Sequence, residues 1–254
     1  MDSLKRRFLF IFLSVALSAT TSAAEPTLTM LVGTSNAPKM FLNDAEKPVG
    51  YFTELAQLIG RRAGYKVVIV AVPWARAVQM AERGEGVICS LSKTPEREML
   101  FSYSNAVLVD RVVIVTLKKR NIVAASLADL KGMTIGVNRG SKYGTKYIEE
   151  LPMVNLDEDN SGVSRLRKLV LGRIDAAIIP GGVAAVTFNA KMAGIDFNDL
   201  TVQKTPLAID KNYFGIAKSR PDASDVLGHL NAAIDASIAD GSIEAIMNNY
   251  GGMP

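Results

Sequence analysis

Apolar residues recur along this chain in two alternating rhythms. Unbroken apolar runs fill LTMLVGT (28–34), YKVVIVAV (65–72) and GVICSLS (86–92), with the length and β-branched content of buried strands. Between them apolar positions fall at helical spacing. In TELAQLIGRRAG (53–64) Leu55, Leu58 and Ile59 share a face, Thr53 is placed to cap the start and Gly64 to end the helix. WARAVQMAERG (74–84) is a second helix closed by Gly84. Strands separated by helices predict parallel crossovers.

The rhythm restarts after FSYSNAVLVD (101–110). RVVIVTL (111–117) and MTIGV (133–137) read as strands, with a short helix at SLADLKG (126–132) capped by Ser126. YGTKYIEEL (143–151) reads as a helix stopped by Pro152. SGVSRLRKLVLGRIDAAIIP (161–180) is a helix, with Val163, Leu166, Leu169 and Val170 on one face, running into a strand. GGVAAVTFNAKMAG (181–194) is again helical, and TVQKTPLAI (201–209) and NYFGIAK (212–218) are strands. Two amphipathic helices finish the pattern. Leu227, Leu230, Ile234 and Ile238 line the first, and Gly241 separates it from SIEAIMNNYG. The fold class is therefore α/β, built from two similar sets that meet near residues 107–111.

The first two dozen residues stand outside this pattern. Lys5, Arg6 and Arg7 precede a largely apolar run from Phe8 to Leu17, then small residues through Ala24. That is the tripartite layout of a secretory signal over residues 1–24, and the apolar run is short for a membrane span. With Asp2, the leader supplies about half of the formal net charge of +4. The rest of the chain is close to balanced, and the sequence pI of about 9.1 does not signal nucleic-acid binding, since no basic block is interleaved with aromatics. Cys89 is the single cysteine and His229 the single histidine, so an intramolecular disulfide, a Cys/His zinc site and histidine catalysis are all disfavoured. His229 falls in a helical pattern and reads as a helix-surface or packing residue. No pair of carboxylates stands out as an acid/base couple.

Three stretches carry polar chemistry at the ends of strands. In CSLSKTPERE (89–98), Ser90 and Ser92 alternate onto one side of a strand end, Pro95 suits the first position of a helix, and Arg97 adds a planar fork matched to a carboxylate or phosphate. The same residues also suit a capped helix with a surface arginine. In NRGSKYG (138–144) Gly140 permits an unusual turn, Ser141 offers a hydroxyl and Lys142 a charge; this is either a second polar site or a plain strand-turn-helix. The Walker spacing is absent. In VPWAR (72–76) the one tryptophan, Trp74, is either core or a pocket wall with Arg76 beside it.

Together these stretches resemble the extracellular solute-binding proteins of family 3, the periplasmic receptors of polar amino-acid ABC importers. The resemblance runs from about Leu28 to Gly252. It is carried in order by EKPVGYFTELAQLIGRRAGYKV, CSLSKTPERE with its Thr-x-x-Arg, DLKGMTIGVNRGS, LRKLVLGRIDAAI, NYFGIAKSRP and LNAAIDASIADGSIEAIMNNYGG. It implies a two-lobed periplasmic-binding-protein-like fold (type II), with lobes joined by two hinge strands. One lobe would comprise residues 25–108 plus 211–254, the other 109–210, with ligand in the cleft between. It implies that Arg97 pairs with a ligand carboxylate, that Ser90 and Ser92 line the same subsite, that Gly140 and Ser141 meet the carboxylate from the second lobe, and that Trp74 stacks on the ligand side chain; Lys142 and Arg76 join the candidate site from their places beside Ser141 and near Trp74. The implied function is capture of a small polar, carboxylate-bearing molecule for an ABC permease of the inner membrane. The receptor is expected to be a periplasmic monomer without cofactor, metal, nucleic acid or catalytic residues. A dehydratase-like enzyme on the same fold and a sensor input protein are the alternatives.

The sequence also departs from the family pattern. The acid that usually holds a ligand ammonium is expected after DAA, where this chain has Ile178-Ile-Pro-Gly-Gly182. GEGVI (84–88) lacks the usual Asp, GTSNAPKMF (33–41) is short and lacks the common aromatic, and PWAR is a variant motif. Without that acid, Arg97, Lys142 and Arg76 predict a positive cleft that favours net anions over simple zwitterions, unless Glu54 or Asp110 reaches in.

Overall fold

The computed structural model describes residues 25–250, so the expected signal segment 1–24 lies outside the described residues. Strands are β1 (Thr27–Val32), β2 (Ser35–Asn36), β3 (Met40–Leu42), β4 (Pro48–Val49), β5 (Lys66–Ala71), β6 (Val87–Leu91), β7 (Phe101–Tyr103), β8 (Leu108–Leu117), β9 (Thr134–Asn138), β10 (Asn155–Asp159), β11 (Ala176–Pro180), β12 (Leu200–Val202) and β13 (Ala208–Ala217). Helices are α1 (Tyr51–Arg62), α2 (Trp74–Glu82), α3 (Pro95–Leu100), α4 (Thr145–Glu150), α5 (Gly162–Val170), α6 (Gly182–Ala193), α7 (Ala223–Ala239) and α8 (Ser242–Asn248).

The main sheet runs β10-β9-β11-β8-β13-β6-β1-β5, with β12 on β8 and β7 on β13. The expected parallel crossovers are present on both sides, as β1 with β5 and β6, and β9 with β10 and β11. The two long strands at the centre are antiparallel to each other and join the two lobes of this α/β fold. β8 starts at Leu108 in the apolar core of the first lobe and continues through Val113 and Val115 in that of the second. β13 runs the opposite way, ending at Phe214 and Ile216 in the first core. Each lobe packs helices on both faces of its part of the sheet. Phe52, Leu55 and Ile59 of α1 lie on one side of the first part, and Ala77 and Ala81 of α2 on the other. Burial of these apolar faces stabilises the lobes at about 25 cal/mol per Å² removed from water.

Local departures from the sequence expectation have identifiable causes. The strands expected at 201–209 and 212–218 are instead a short β12 and one continuous β13. Asp210 and Lys211 fall in the polar gap between those two expected strands, but here they sit with Asn212 in the ladder opposite β8. β10, with sequence NLDED, gives no apolar signal, because it pairs only with β9 at the sheet edge. Its Asp159 accepts from the buried Arg165 at 2.7 Å. Thr53 is inside α1 rather than at its cap, and its hydroxyl donates to the Val49 carbonyl. The N-cap is Gly50, at φ 112°, where an added Cβ would lie 2.5 Å from the Lys39 carbonyl oxygen. That close approach lets the amides of Tyr51 and Phe52 bond the carbonyls of Pro38 and Lys39, fixing the loop that carries Lys39. His229 is exposed on α7 and meets the Tyr65 hydroxyl at 3.0 Å, as a helix-surface residue.

Candidate functional site

A polar pocket lies where the two lobes meet, lined by the 33–40 loop, the end of β6, the start of α3, the β9–α4 loop and β13. The room left in it for water-sized molecules is about 30 Å³, enough for about two waters.

The end of β6 supplies the first group. Ser90 holds a left-handed backbone, φ 66°, a strained conformation for a side chain of this type, and its hydroxyl donates to Asn212 Oδ1 at 2.5 Å. Thr94 caps α3 by accepting the Arg97 amide at 3.2 Å, and Pro95 takes the first helical position. The cap consumes the Arg97 amide and turns its side chain inward. Arg97 is buried, at 4% exposure, yet its guanidinium faces no carboxylate within bonding distance among the described residues. It donates to the Ser92 carbonyl at 3.3 Å and, across the cleft, to the Gly140 carbonyl at 3.0 Å. Burial pulls the acidity of this guanidinium up, lowering its pKa.

The β9–α4 loop faces it. Gly140, at φ 72°, brings the backbone within reach of Ala75 and Trp74; a Cβ there would lie 3.3 Å from the Ala75 Cβ. Ser141 accepts from Asn138 Nδ2 at 3.1 Å. Lys142 pairs across the cleft with Glu96, which pulls the Glu96 carboxyl below its ordinary value. Trp74 and Tyr143 line the pocket, and the buried indole N–H of Trp74 has no hydrogen-bond partner among the described residues. A second cross-cleft contact closes the far side: Asn189 Nδ2 of α6 donates to the Ala37 carbonyl at 2.9 Å, next to an edge-to-face contact of Phe41 with Phe188.

Ser90, Ser92, Trp74, Arg97, Ser141 and Lys142 thus line one pocket, and Gly140 touches it through its carbonyl. Arg76 does not join them. It is exposed on the outer side of α2, because the helix turns its third residue away from the cleft.

Sequence reasoning missed two charged groups of the site. Lys39, 5% exposed, bonds Asp110 at 2.7 Å and donates to Asn212 as well. Asp210 of β13 lines the pocket, and its Oδ2 accepts from Ser92 Oγ at 2.6 Å. Burial pushes the Asp210 carboxyl up to about 6, with Asp110 adding to the rise, while the Ser92 bond, Lys39 and Arg97 pull against it. The expected positive cleft therefore needs correction. Arg76 is outside, Lys142 is neutralised by Glu96, and a carboxyl from the hinge strand is present. Neither of the two acids considered from sequence fills that place: Glu54 accepts from the Tyr250 hydroxyl, and Asp110 is held by Lys39. The one signal available in sequence was an acid in the polar gap between the strands expected at 201–209 and 212–218.

A family model described as bacterial extracellular solute-binding proteins, family 3, matches residues 28–253. Among curated relatives, the arginine-binding extracellular protein ArtP of Bacillus subtilis is 29% identical over 187 residues, covering 71% of this chain and 72% of its own. The L-cystine-binding protein TcyJ of Escherichia coli is 24% identical over 232 residues, covering 88% and 83%. An ancestral arginine-binding protein solved with arginine shares the fold, with a TM-score of 0.75 at 22% identity, over 89% of this chain and 98% of that one.

Proposed function

This chain belongs to the bacterial extracellular solute-binding proteins, family 3, and from that premise we propose that it captures a small polar, carboxylate-bearing molecule and hands it to an ABC permease of the inner membrane. The observation that carries this reading is Arg97. A buried guanidinium that bridges the cleft and, among the described residues, bonds only carbonyl oxygens is suited to exchange those weak acceptors for a carboxylate. Ser90, Ser92, Trp74, Ser141, Lys142 and the Gly140 backbone form the surrounding subsite, and Arg76 is left out of it. Residues 25–108 and 211–250 form one lobe and 109–210 the other, hinged on β8 and β13, so that closure places Gly140 against Arg97. The relatives named for arginine and cystine favour an amino acid as the ligand class.

The protein acts as a receptor, exported through its leader to the periplasm and working as a monomer without metal or cofactor. A thermal-shift screen of amino acids, organic acids and opines tests the ligand class; a melting temperature unmoved by every carboxylate would count against it. Incubation of the tightest binder with the protein, followed by mass analysis, should return the ligand unchanged. Mass spectrometry of periplasmic material with residues 1–23 still attached would contradict export by cleavage.

A further inference from the structure

The charges around the pocket pair off, and what remains is informative. Lys39 is committed to Asp110, and Lys142 to Glu96. Two opposite charges are left without an ionic partner among the described residues. Arg97 bonds only the Ser92 and Gly140 carbonyls. Asp210 uses Oδ2 for Ser92 Oγ, and its Oδ1 has no bonded partner there. Both groups hang from one residue, the guanidinium from the carbonyl of Ser92 and the carboxyl from its hydroxyl. A positive and a negative group held side by side match a molecule that carries its own carboxylate and ammonium on one carbon.

We infer that Asp210 receives the ammonium group of the ligand whose carboxylate Arg97 holds, so that the site selects zwitterionic amino acids over carboxylic acids lacking the amine. The inference rests on the receptor reading and deepens it. It also moves the cation-binding acid to the hinge. Asp210 is on β13, directly opposite Asp110 of β8 in the ladder. The strand after DAA, where an acid was expected, ends at Pro180, which lines the pocket without charge.

The groups facing Asp210 are identifiable on each element. They are Ser92 and Arg97 from the β6–α3 segment, Lys39 from the 33–40 loop, Asp110 from β8, Tyr103 from β7, Tyr143 from the β9–α4 loop and Tyr213 from β13 itself. The tyrosines that face it are all pushed upward by burial, so they stay neutral through the acid range. An ammonium docked at Oδ1 favours the ionised carboxylate. Ligand affinity should therefore hold above about pH 6 and fall as pH drops below it, because a proton then competes for the same oxygen.

Titration calorimetry tests this with the common L-amino acids, with succinate and 2-oxoglutarate, and with the α-hydroxy and α-oxo analogues of whichever amino acid binds tightest. The wild-type chain should prefer the amine over its analogues by roughly 10- to 100-fold. Asp210→Asn should bring that ratio to within about threefold, with Asp210→Ser as a second variant and melting curves showing both folded. Between pH 7.5 and pH 5 wild-type affinity for the amine should fall about tenfold, and that of Asp210→Asn should stay flat. Carboxylic acids that bind as tightly without the amine, or a preference surviving in Asp210→Asn, would overturn the inference while leaving the Arg97 reading intact. If no carboxylate binds, or Arg97→Ala changes nothing, the reading and the inference fall together.

Discussion

Replacing Asp210 by Asn should make the unliganded protein more stable at neutral pH, and only there. The carboxyl sits at about 6 in the fold against an ordinary value of 3.8. The folded state therefore binds the proton more tightly than the unfolded chain does. Stability from this group is accordingly full below about pH 4 and is lost as pH rises through about 6. The rise from 3.8 to about 6, at about 1.36 kcal/mol per tenfold change in proton affinity, gives a cost of about 3 kcal/mol for holding the charge at pH 7.5. Asparagine keeps the shape and an oxygen for Ser92 to donate to, without the charge. Urea denaturation of both proteins should show Asp210→Asn ahead by an amount on the order of 2–3 kcal/mol at pH 7.5 and by nearly nothing at pH 4. Groups distant from Asp210 titrate alike in both proteins and cancel in the difference. A difference that does not change with pH, or a loss of stability at pH 7.5, would refute the reasoning. The expected result is a trade of stability for binding at one residue.

Lys39→Met should be destabilising by roughly 3–5 kcal/mol, because it leaves the 2%-exposed Asp110 buried and unpaired; thermal denaturation of the single variant and of its pairing with Asp110→Asn, which should recover most of the loss, checks this. Asn189→Ala removes the cross-cleft bond to Ala37, worth about 1 kcal/mol, and should shift the lobes toward the open form by about fivefold, seen as a larger radius of gyration in small-angle scattering of the unliganded protein. An unchanged radius would mean that this bond does not hold the cleft.

The alternation of buried runs and amphipathic segments made the α/β class and nearly every helix legible, because those elements bury one face against a sheet. The capped turn at Thr94 and Pro95 was legible too, since cap and first-turn residues are chosen by local backbone geometry. What escaped was set by partners distant in sequence. Asp210 and Asp110 are polar breaks in sequence and become a facing pair only when β8 and β13 align. Lys39 looks like an ordinary loop lysine until Gly50 brings α1 against its backbone. The charge of the cleft was misjudged for the same reason, because Glu96 cancels Lys142 only once the lobes meet. Arg76 failed in the other direction: it lies two residues after Trp74, a spacing that puts it on the opposite side of the helix.

Trp74 is the one tryptophan in the chain, and it lines the cleft beside Arg97, so its fluorescence reports on this pocket alone. Titration of the tightest-binding amino acid should change Trp74 emission saturably. Arg97→Ala, with its melting curve preserved, should need tens to thousands of times more ligand for the same change, in line with roughly 2–5 kcal/mol for a buried charge pair broken on one side. Calorimetric binding that leaves the emission of Trp74 unchanged, or an Arg97→Ala affinity within about threefold of wild type, would put the ligand elsewhere and contradict the account.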